Sequence, residues 1–266
     1  MKTFYYNNGS IKNPEWSKNW GDIIAPTIIK HFSKSDKIEP TENKFEKRKL
    51  VSIGSVMSMV YPNDLVWGTG IIMNNCRLPR FDNVKFFAVR GPNTRQQLIE
   101  LGYDVPAVYG DPGLLYPQIY NPVVEKTHEW GIIPHYVDVD HPSVKSLVKA
   151  GVKFIDINAG EKEFIDQLLS VDKVISSSLH GLIAADAYGI PNARITLTDK
   201  LVGGDYKFKD YSLSVDRELW KAVKLIGPTS IHKINNLKLN TKINWDHKLL
   251  LDNAPWNHEE YKGLFY

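Results

Sequence analysis

Residues 176–181 read Ser-Ser-Ser-Leu-His-Gly, a polar turn with a histidine between two apolar segments. Val174 and Ile175 precede the turn and are β-branched and apolar, as a buried parallel strand requires. A helix that begins directly after such a strand presents unpaired backbone N–H groups, serine hydroxyls and the imidazole of His180 at one point. A phosphate or carboxylate would fit there, and an imidazole can transfer protons near neutral pH.

The residues on either side of this turn define a helix. Ser177 or Ser178 can cap a helix that begins near Leu179, and Gly189 with Pro191 ends it. The helix carries small residues that let it lie close to a sheet, namely Ala184, Ala185 and Ala187. Serine is also the ordinary capping residue, and a histidine in a first helical turn is often a surface residue. From this stretch alone, an anion site and a plain capped helix both stay open.

The rest of the chain repeats the order of strand, polar or glycine turn, and helix. Besides the strand that ends near Ile175, strands are predicted at 2–6, 50–53, 64–67, 84–89, 130–133, 152–157 and 193–197, with a further apolar stretch at 107–109. Besides the helix from Leu179, helices are predicted at 23–32, 93–101, 142–150 and 161–169. This order is typical of a mostly parallel sheet with helices on its faces.

Segments that lack this rhythm are expected to be loops or connections. A polar loop follows the first strand, and the charged residues 33–48 are predicted to form a surface loop. Residues 116–128 are the candidate linker, and residues 199–212 are a candidate mobile flap beside a cleft. Residues 216–266 are expected to form helices that tie the end of the chain back to the body.

The most economical architecture is an α/β fold of two Rossmann-like domains that face a cleft. The first domain is predicted to span residues 1–120, and the second residues 121–266 with the terminal helices. Sites in such sheets gather at the carboxyl ends of the strands. Asp22, Arg90 and Asp111 all fall at turns of that type, so we expect them to lie near the cleft.

Composition excludes several classes of protein. The net charge of +3, from 33 Lys and Arg against 30 Asp and Glu, is too mild for nucleic-acid binding to be expected. Cys76 is the single cysteine, which excludes an intramolecular disulfide framework and favours a reducing cytoplasmic location. No cluster of residues has the spacing expected of metal ligands. No segment has the apolar length of a signal peptide or a membrane span. Four residues near the C-terminus allow peripheral contact with a membrane: Trp245, Trp256, Tyr261 and Lys262.

Six motifs taken in order resemble the polysaccharide pyruvyl transferase family. They are NWGD at 19–22, VRGP at 89–92, VYGDPGLL at 108–115, GIIPHYVD at 131–138, SSSLHGLIAADAYGIP at 176–191 and YKFKDY at 206–211. The resemblance implies a two-domain fold similar to GT-B glycosyltransferases. It also implies transfer of the enolpyruvyl group of phosphoenolpyruvate onto a hexose as a ketal, within a surface glycan or its lipid-linked precursor.

The resemblance assigns roles to particular residues. His180 is implied as the general acid or base, and Arg90 as the arginine that faces phosphoenolpyruvate across the cleft. Asp22 is the second candidate catalytic residue, which could orient substrate or accept a hydroxyl proton, although a helix-capping aspartate would look the same in sequence. The remaining candidate substrate-binding residues are Asn19, Gly21, His135, Ser177, Ser178, Leu179, Gly181 and Lys207. Several family members carry arginine where this chain has Ser178, so phosphate binding must rely on Arg90 or Lys207. The reaction requires no cofactor beyond the donor substrate.

Two other functions fit the same sequence. A GT-B-like glycosyltransferase would use the helix N-terminus to bind the diphosphate of a nucleotide sugar. No acidic residue stands convincingly after a strand of the second half to hold a ribose, which counts against this hypothesis. A glycan-binding protein that has lost the reaction is the third hypothesis, and Ser178 is the feature that suggests it.

Overall fold

The computed structural model describes residues 1–6, 19–218 and 221–266. The polar loop predicted after the first strand lies outside the described residues. Within the described residues the chain forms two parallel sheets of five strands each. The first sheet has the order β2-β1-β3-β4-β5 and comprises β1 (Lys2–Phe4), β2 (Glu39–Thr41), β3 (Lys49–Val51), β4 (Leu65–Trp67) and β5 (Lys85–Ala88).

The second sheet is built from the second half of the chain. It has the order β10-β9-β8-β6-β7 and comprises β6 (His128–Ile133), β7 (Lys153–Phe154), β8 (Val171–Ser176), β9 (Asn192–Thr196) and β10 (Val223–Lys224). Residues 130–133 of β6 and 174–176 of β8 are buried because helices cover both faces of such a sheet. The mixed α/β class is therefore confirmed, and the arrangement is consistent with two Rossmann-like units. The domain boundary at residue 120 stays a prediction.

Helices connect the strands and cover the sheets. They are α1 (Trp20–Ile23), α2 (Ala25–Ser33), α3 (Pro92–Glu100), α4 (Pro142–Lys149), α5 (Glu161–Leu169), α6 (Leu179–Ala187), α7 (Tyr206–Ser214), α8 (Ile231–Asn235), α9 (His247–Asp252) and α10 (Glu259–Lys262). Proline stands in the first turn of α2, α3 and α4, where its missing N–H would have no helical partner. None of the helices in the described ranges is long and apolar enough to cross a bilayer.

Trp20 joins the two halves of the molecule. Its indole is fully buried and contacts the rings of Tyr116 and Phe164, each at a centroid distance of 5.4 Å. The backbone N–H of Trp20 also donates to the carbonyl of Ile157 at 2.8 Å. Because burial of an aromatic side chain stabilises a fold by about 1.5–3 kcal/mol, this contact fixes α1 against the second half.

The end of the chain packs on the first sheet. Trp67 donates its indole N–H to the carbonyl of Leu250 at 3.0 Å, and its ring lies edge-on to Trp256. Tyr261 packs against Phe87 of β5. The expectation that residues 216–266 tie back to the body is therefore confirmed, although they include β10 and only short helices. The aromatic residues named for peripheral membrane contact also contact the protein itself, since Trp245 donates to the carbonyl of Tyr109 at 3.2 Å, and membrane contact stays a prediction.

Other expected boundaries were wrong. Residues 33–48 contain the edge strand β2, which the sequence hid because Pro40 lies within it and proline is tolerated only at sheet edges. The strand expected at 152–157 is only Lys153–Phe154, and the stretch 107–109 contributes one bridge, from Tyr109 to Val89. A 3-10 helix, Pro112–Gln118, occupies the start of the expected linker.

The expected flap was also wrong over much of its length. Residues Tyr206–Ser214 form α7, and its side chains Lys207, Phe208, Asp210 and Tyr211 are buried. The helix packs against α3, where Asp210 accepts hydrogen bonds from the backbone N–H and the hydroxyl of Thr94 at 2.9 and 2.7 Å. Charged residues in the YKFKDY segment made it look exposed, but their partners come from distant parts of the chain.

Candidate active site

A pocket of about 440 Å³ opens between the two halves of the molecule. Its walls come from segments that follow the carboxyl ends of strands in both sheets, the place where sites of α/β folds gather. Ile133 of β6 lies level with Ser176 of β8, so the turns that follow these strands begin side by side. Seven sequence-predicted residues line the pocket: Asn19, Asp22, His135, Ser178, Leu179, His180 and Lys207.

His180 is held by the segment that begins α1. Its Nδ1 lies 2.7 Å from Oδ1 of Asn19, the same oxygen that accepts the backbone N–H of Gly21 at 3.2 Å. A Cβ atom on Gly21 would overlap the imidazole, so only glycine allows this approach. Asn19 and Gly21 therefore position His180, and the structure does not bring Gly21 into the pocket. The imidazole is 13% exposed, and Asp22, at 17%, lies 3.8 Å from it.

Burial sets the protonation of the site. It lowers the pKa of His180 to about 3, with Lys207, Arg90 and His135 adding to the effect, so the imidazole is neutral at physiological pH. Burial raises the pKa of Asp22 to about 7, although nearby Lys207 opposes the shift. Burial and Arg90 lower the pKa of Lys207 to about 8, which leaves the ammonium mostly charged at neutral pH. The pocket therefore presents a cation and two groups that can exchange protons.

The serines of the turn have different partners from those expected. Ser178 occupies the cap position of α6, but its hydroxyl makes no capping hydrogen bond and instead lines the pocket. Ser176 accepts the N–H of Ser178 at 3.0 Å, and Ser177 accepts the N–H of His135 at 2.9 Å. The predicted side-chain cap was therefore wrong, because the hydroxyl of Ser177 accepts from the turn after β6 and that of Ser178 makes no capping bond. Gly181 packs behind the wall, where a Cβ atom would crowd Ser176.

Arg90 lies beneath the pocket rather than in it. The guanidinium is fully buried and donates to Asp210 at 3.0 Å, to the carbonyl of Ile71 at 2.7 Å and to the hydroxyl of Ser55 at 2.6 Å. Asp210 of α7 pairs with Arg90, which does not line the pocket, so the role of Arg90 towards the donor substrate stays a prediction. Ser55 lines the pocket, so Arg90 supports the floor through this hydroxyl.

The segment between β9 and α7 reaches across the mouth of the pocket. Lys200 and Val202 line the pocket from this segment. Gly203 has φ +87° and abuts the carbonyl oxygen of Ile72 in the first half so closely that a Cβ atom would overlap it. The segment therefore contacts both halves of the molecule at the pocket entrance.

This contact gives a testable prediction at Gly203. Alanine there would be strained at positive φ and would collide with Ile72. We therefore expect the segment to move away and the affinity for phosphoenolpyruvate, the donor that the sequence resemblance implies, to fall about 5- to 30-fold, the equivalent of about 1–2 kcal/mol. Gly204→Ala is the matched control, because Gly204 has φ +50° but open space around it. Equal effects of the two variants on a calorimetric titration would contradict the role of the Ile72 contact.

Several pocket residues were missed by sequence reasoning. Tyr6, Ser55 and Tyr136 line the pocket, and each directly follows or lies close to the end of a strand. The glycine before Ser55 and the histidine before Tyr136 were the available signals. Asp111, by contrast, is buried and accepts the N–H of Gly113 at 2.9 Å, as a turn residue does.

Comparison with known proteins agrees with this site. A family model described as polysaccharide pyruvyl transferase matches residues 65–198, the segment that contains Ile72, His135 and His180. The chain is 32% identical over 204 residues to the uncharacterized protein L143 of Acanthamoeba polyphaga mimivirus, covering 73% of this chain and 68% of that protein. No solved structure gives a significant match. By the family model and the extent of its match, this transferase belongs to the polysaccharide pyruvyl transferase family.

Proposed function

We propose that this enzyme transfers the enolpyruvyl group of phosphoenolpyruvate onto two hydroxyls of a hexose, as a ketal, in a surface glycan or its lipid-linked precursor. The observation that carries the proposal is the meeting of Lys207, His180 and the first turn of α6 in one pocket. Together they offer a cation, a proton-transfer group and unpaired backbone N–H groups. A donor with a phosphate and a carboxylate needs the cation and the backbone N–H groups. Ketal formation needs the proton-transfer group.

Anion binding relies on Lys207 and on the start of α6. The ammonium of Lys207 is only 9% exposed, so solvent screens its attraction for an anion less than at the surface. Ser178 adds a hydroxyl where several family members carry arginine. Residue 178 therefore supplies no positive charge, and the positive charge for the anion comes from Lys207. His135 lines the same wall and follows β6. Burial lowers its pKa to about 4, so it contributes no charge.

The pocket has the size of a small-molecule site. Its volume of about 440 Å³ falls within the range of about 300–1,000 Å³ that small-molecule sites occupy. Tyr6 and Tyr136 line it in addition to the polar residues, and aromatic rings can pack against the apolar face of a sugar. These features support a hexose acceptor beside the donor.

A calorimetric titration with phosphoenolpyruvate tests this proposal. Lys207→Met should weaken binding about 10- to 100-fold, because a charge-assisted hydrogen bond contributes about 1.5–3 kcal/mol. Lys209→Met is the matched control, since Lys209 lies on the same helix and is exposed. We expect the control to bind like the original protein.

The same titration separates the competing functions. Preference for a uridine or guanosine diphosphate sugar over phosphoenolpyruvate would favour the glycosyltransferase hypothesis and overturn the proposal. Glycan binding without any pyruvylated product would favour the non-catalytic hypothesis.

We also propose a cytoplasmic location, which the lone Cys76 supports. We further propose that the fold is related to that of GT-B glycosyltransferases, which the two parallel sheets around a cleft support.

A further inference from the structure

The amide of Asn19 has one orientation that satisfies both of its neighbours. Its Oδ1 accepts the backbone N–H of Gly21 at 3.2 Å, as the capping residue of α1. The same oxygen lies 2.7 Å from Nδ1 of His180. An amide oxygen only accepts hydrogen bonds, so the hydrogen between the two residues belongs to Nδ1. A neutral imidazole carries one N–H, and Nε2 of His180 is therefore left as an acceptor.

Nε2 of His180 and the carboxyl of Asp22 both lie beside the backbone of Gly54. A Cβ atom placed on Gly54 would lie 3.8 Å from Nε2 of His180 and 3.5 Å from Oδ1 of Asp22. Gly54 has φ +90° and no side chain, so no side chain of its own separates the two groups. Because His180 and Asp22 also line the same pocket, a reacting atom bound beside them would have a proton acceptor and a carboxyl group within reach.

Burial, rather than the surrounding charges, raises the pKa of Asp22 to about 7. Lys207 on α7 is the cation that opposes this, and Asp111 adds to the effect of burial in raising the pKa of Asp22. His180 on α6 is neutral and Tyr6 follows β1, so neither supplies a positive charge. At neutral pH, about half of the molecules therefore hold a carboxylic acid opposite an unprotonated imidazole nitrogen.

We propose that Asn19 positions His180 as a base at Nε2 and that Asp22 is the acid that protonates the methylene carbon of the donor. This inference rests on the proposed function and divides its acid and base steps between two residues. Asn19 touches His180, not the reacting atoms, and is a positioning residue.

The protons balance over a full cycle. Nε2 of His180 takes the proton of one acceptor hydroxyl as its oxygen bonds to C2 of the donor, and the π electrons of the double bond take the proton of Asp22. Phosphate then leaves with the electrons of its bond to C2 and with the proton from Nε2. A second hydroxyl bonds to C2 and gives its proton to the Asp22 carboxylate. Both residues return to their starting state, and the products are the ketal and phosphate.

Nitrogen-15 NMR of the full-length protein tests the position of the histidine proton without any substrate. The His180 resonances are identified by their loss in His180→Gln. We expect the Nδ1–H tautomer in the original protein and in Asn19→Asp, which keeps an acceptor at the same reach. Asn19→Ser keeps a hydroxyl that can cap α1 but cannot reach His180, so we expect it to lose the fixed tautomer. A proton on Nε2, or an imidazolium at neutral pH, in the original protein would overturn the proposal.

Turnover in deuterated water tests the acid. With phosphoenolpyruvate and a panel of methyl hexopyranosides, kcat/KM should fall as pH rises through the pKa of Asp22, about 7, because this group acts in its protonated form. Asp22→Asn should lower the rate of deuterium entry into the product methyl group at least about 100-fold and remove this pH dependence from any residual activity. Asn19→Ser should lower kcat at least about 10-fold with little change in KM for the donor, and Asn19→Asp should restore most of it.

The outcomes separate a failure of this inference from a failure of the proposed pyruvyl transfer. If the original protein neither binds phosphoenolpyruvate nor makes a ketal, the proposed function fails while the tautomer measurement still stands. If the original protein makes the ketal but Asp22→Asn keeps both the rate and the pH dependence, the division of acid and base is wrong. If Asn19→Ser matches Asn19→Asp in tautomer and kcat, Asn19 only caps the helix.

Discussion

Replacement of His180 by glutamine should lower kcat about 10²- to 10⁴-fold and leave the Kd for phosphoenolpyruvate within about threefold. Glutamine is neutral, as His180 is in the resting protein, so the attraction of Lys207 for the donor is retained. It can still hydrogen-bond to Asn19 but takes up no proton at neutral pH. Steady-state assay of pyruvylated product, beside a calorimetric titration with the donor, measures both quantities.

His232→Gln is the control for this change. His232 is exposed on α8 and does not line the pocket, so the variant should match the original protein in both measurements. A His180→Gln enzyme with nearly full kcat would remove His180 from the reaction. A variant with normal folding but no donor binding would instead make His180 a binding residue.

Replacement of Arg90 by methionine should destabilise the protein by about 3–5 kcal/mol, because it leaves the carboxylate of Asp210 buried without its cation. Both side chains of this ion pair are fully buried, at a distance of 3.0 Å. Urea unfolding followed by tryptophan fluorescence gives the free energy of unfolding. The double variant Arg90→Met/Asp210→Asn removes both charges and keeps an acceptor for Thr94, so it should recover at least half of the loss.

The double variant also decides how Arg90 affects the donor. Because the guanidinium reaches the pocket only through the hydroxyl of Ser55, we expect a stable double variant to bind phosphoenolpyruvate less than about 10-fold more weakly, the effect of losing one supporting hydrogen bond. A folded double variant that binds about 100-fold more weakly or worse would show direct contact between Arg90 and the donor. The original sequence-based role of Arg90 would then be correct.

The strand and helix around His180 could be predicted from local sequence. β8 and α6 were confirmed because an apolar β-branched run, three serines, a run of small residues and Gly189 each favour one backbone conformation. The parallel order of the strands also placed the turns after them at one edge of each sheet. This is why Asp22, His135 and His180, found in three separate turns, could be expected near the cleft before any coordinates.

The partners of those residues could not be predicted in the same way. Arg90 and Asp210 are 120 residues apart in the chain, and nothing in either segment indicates that they meet. Asn19 and His180 are 161 residues apart, so the bond that orients the imidazole was equally hidden. The sequence therefore indicated which turns approach the cleft. Which side chains enter it and which pair beneath it depended on tertiary packing.

The return of the chain end to the first sheet has a consequence for biosynthesis. Trp67 and Phe87 belong to strands of the first sheet, yet the residues that cover them, 250–265, are synthesised long after these strands. The amino-terminal half thus emerges with a face of its sheet uncovered, and exposed apolar surface of this kind promotes aggregation. Its native packing can be completed only after residues 250–265 have left the ribosome, so this half matures after the second half has been synthesised.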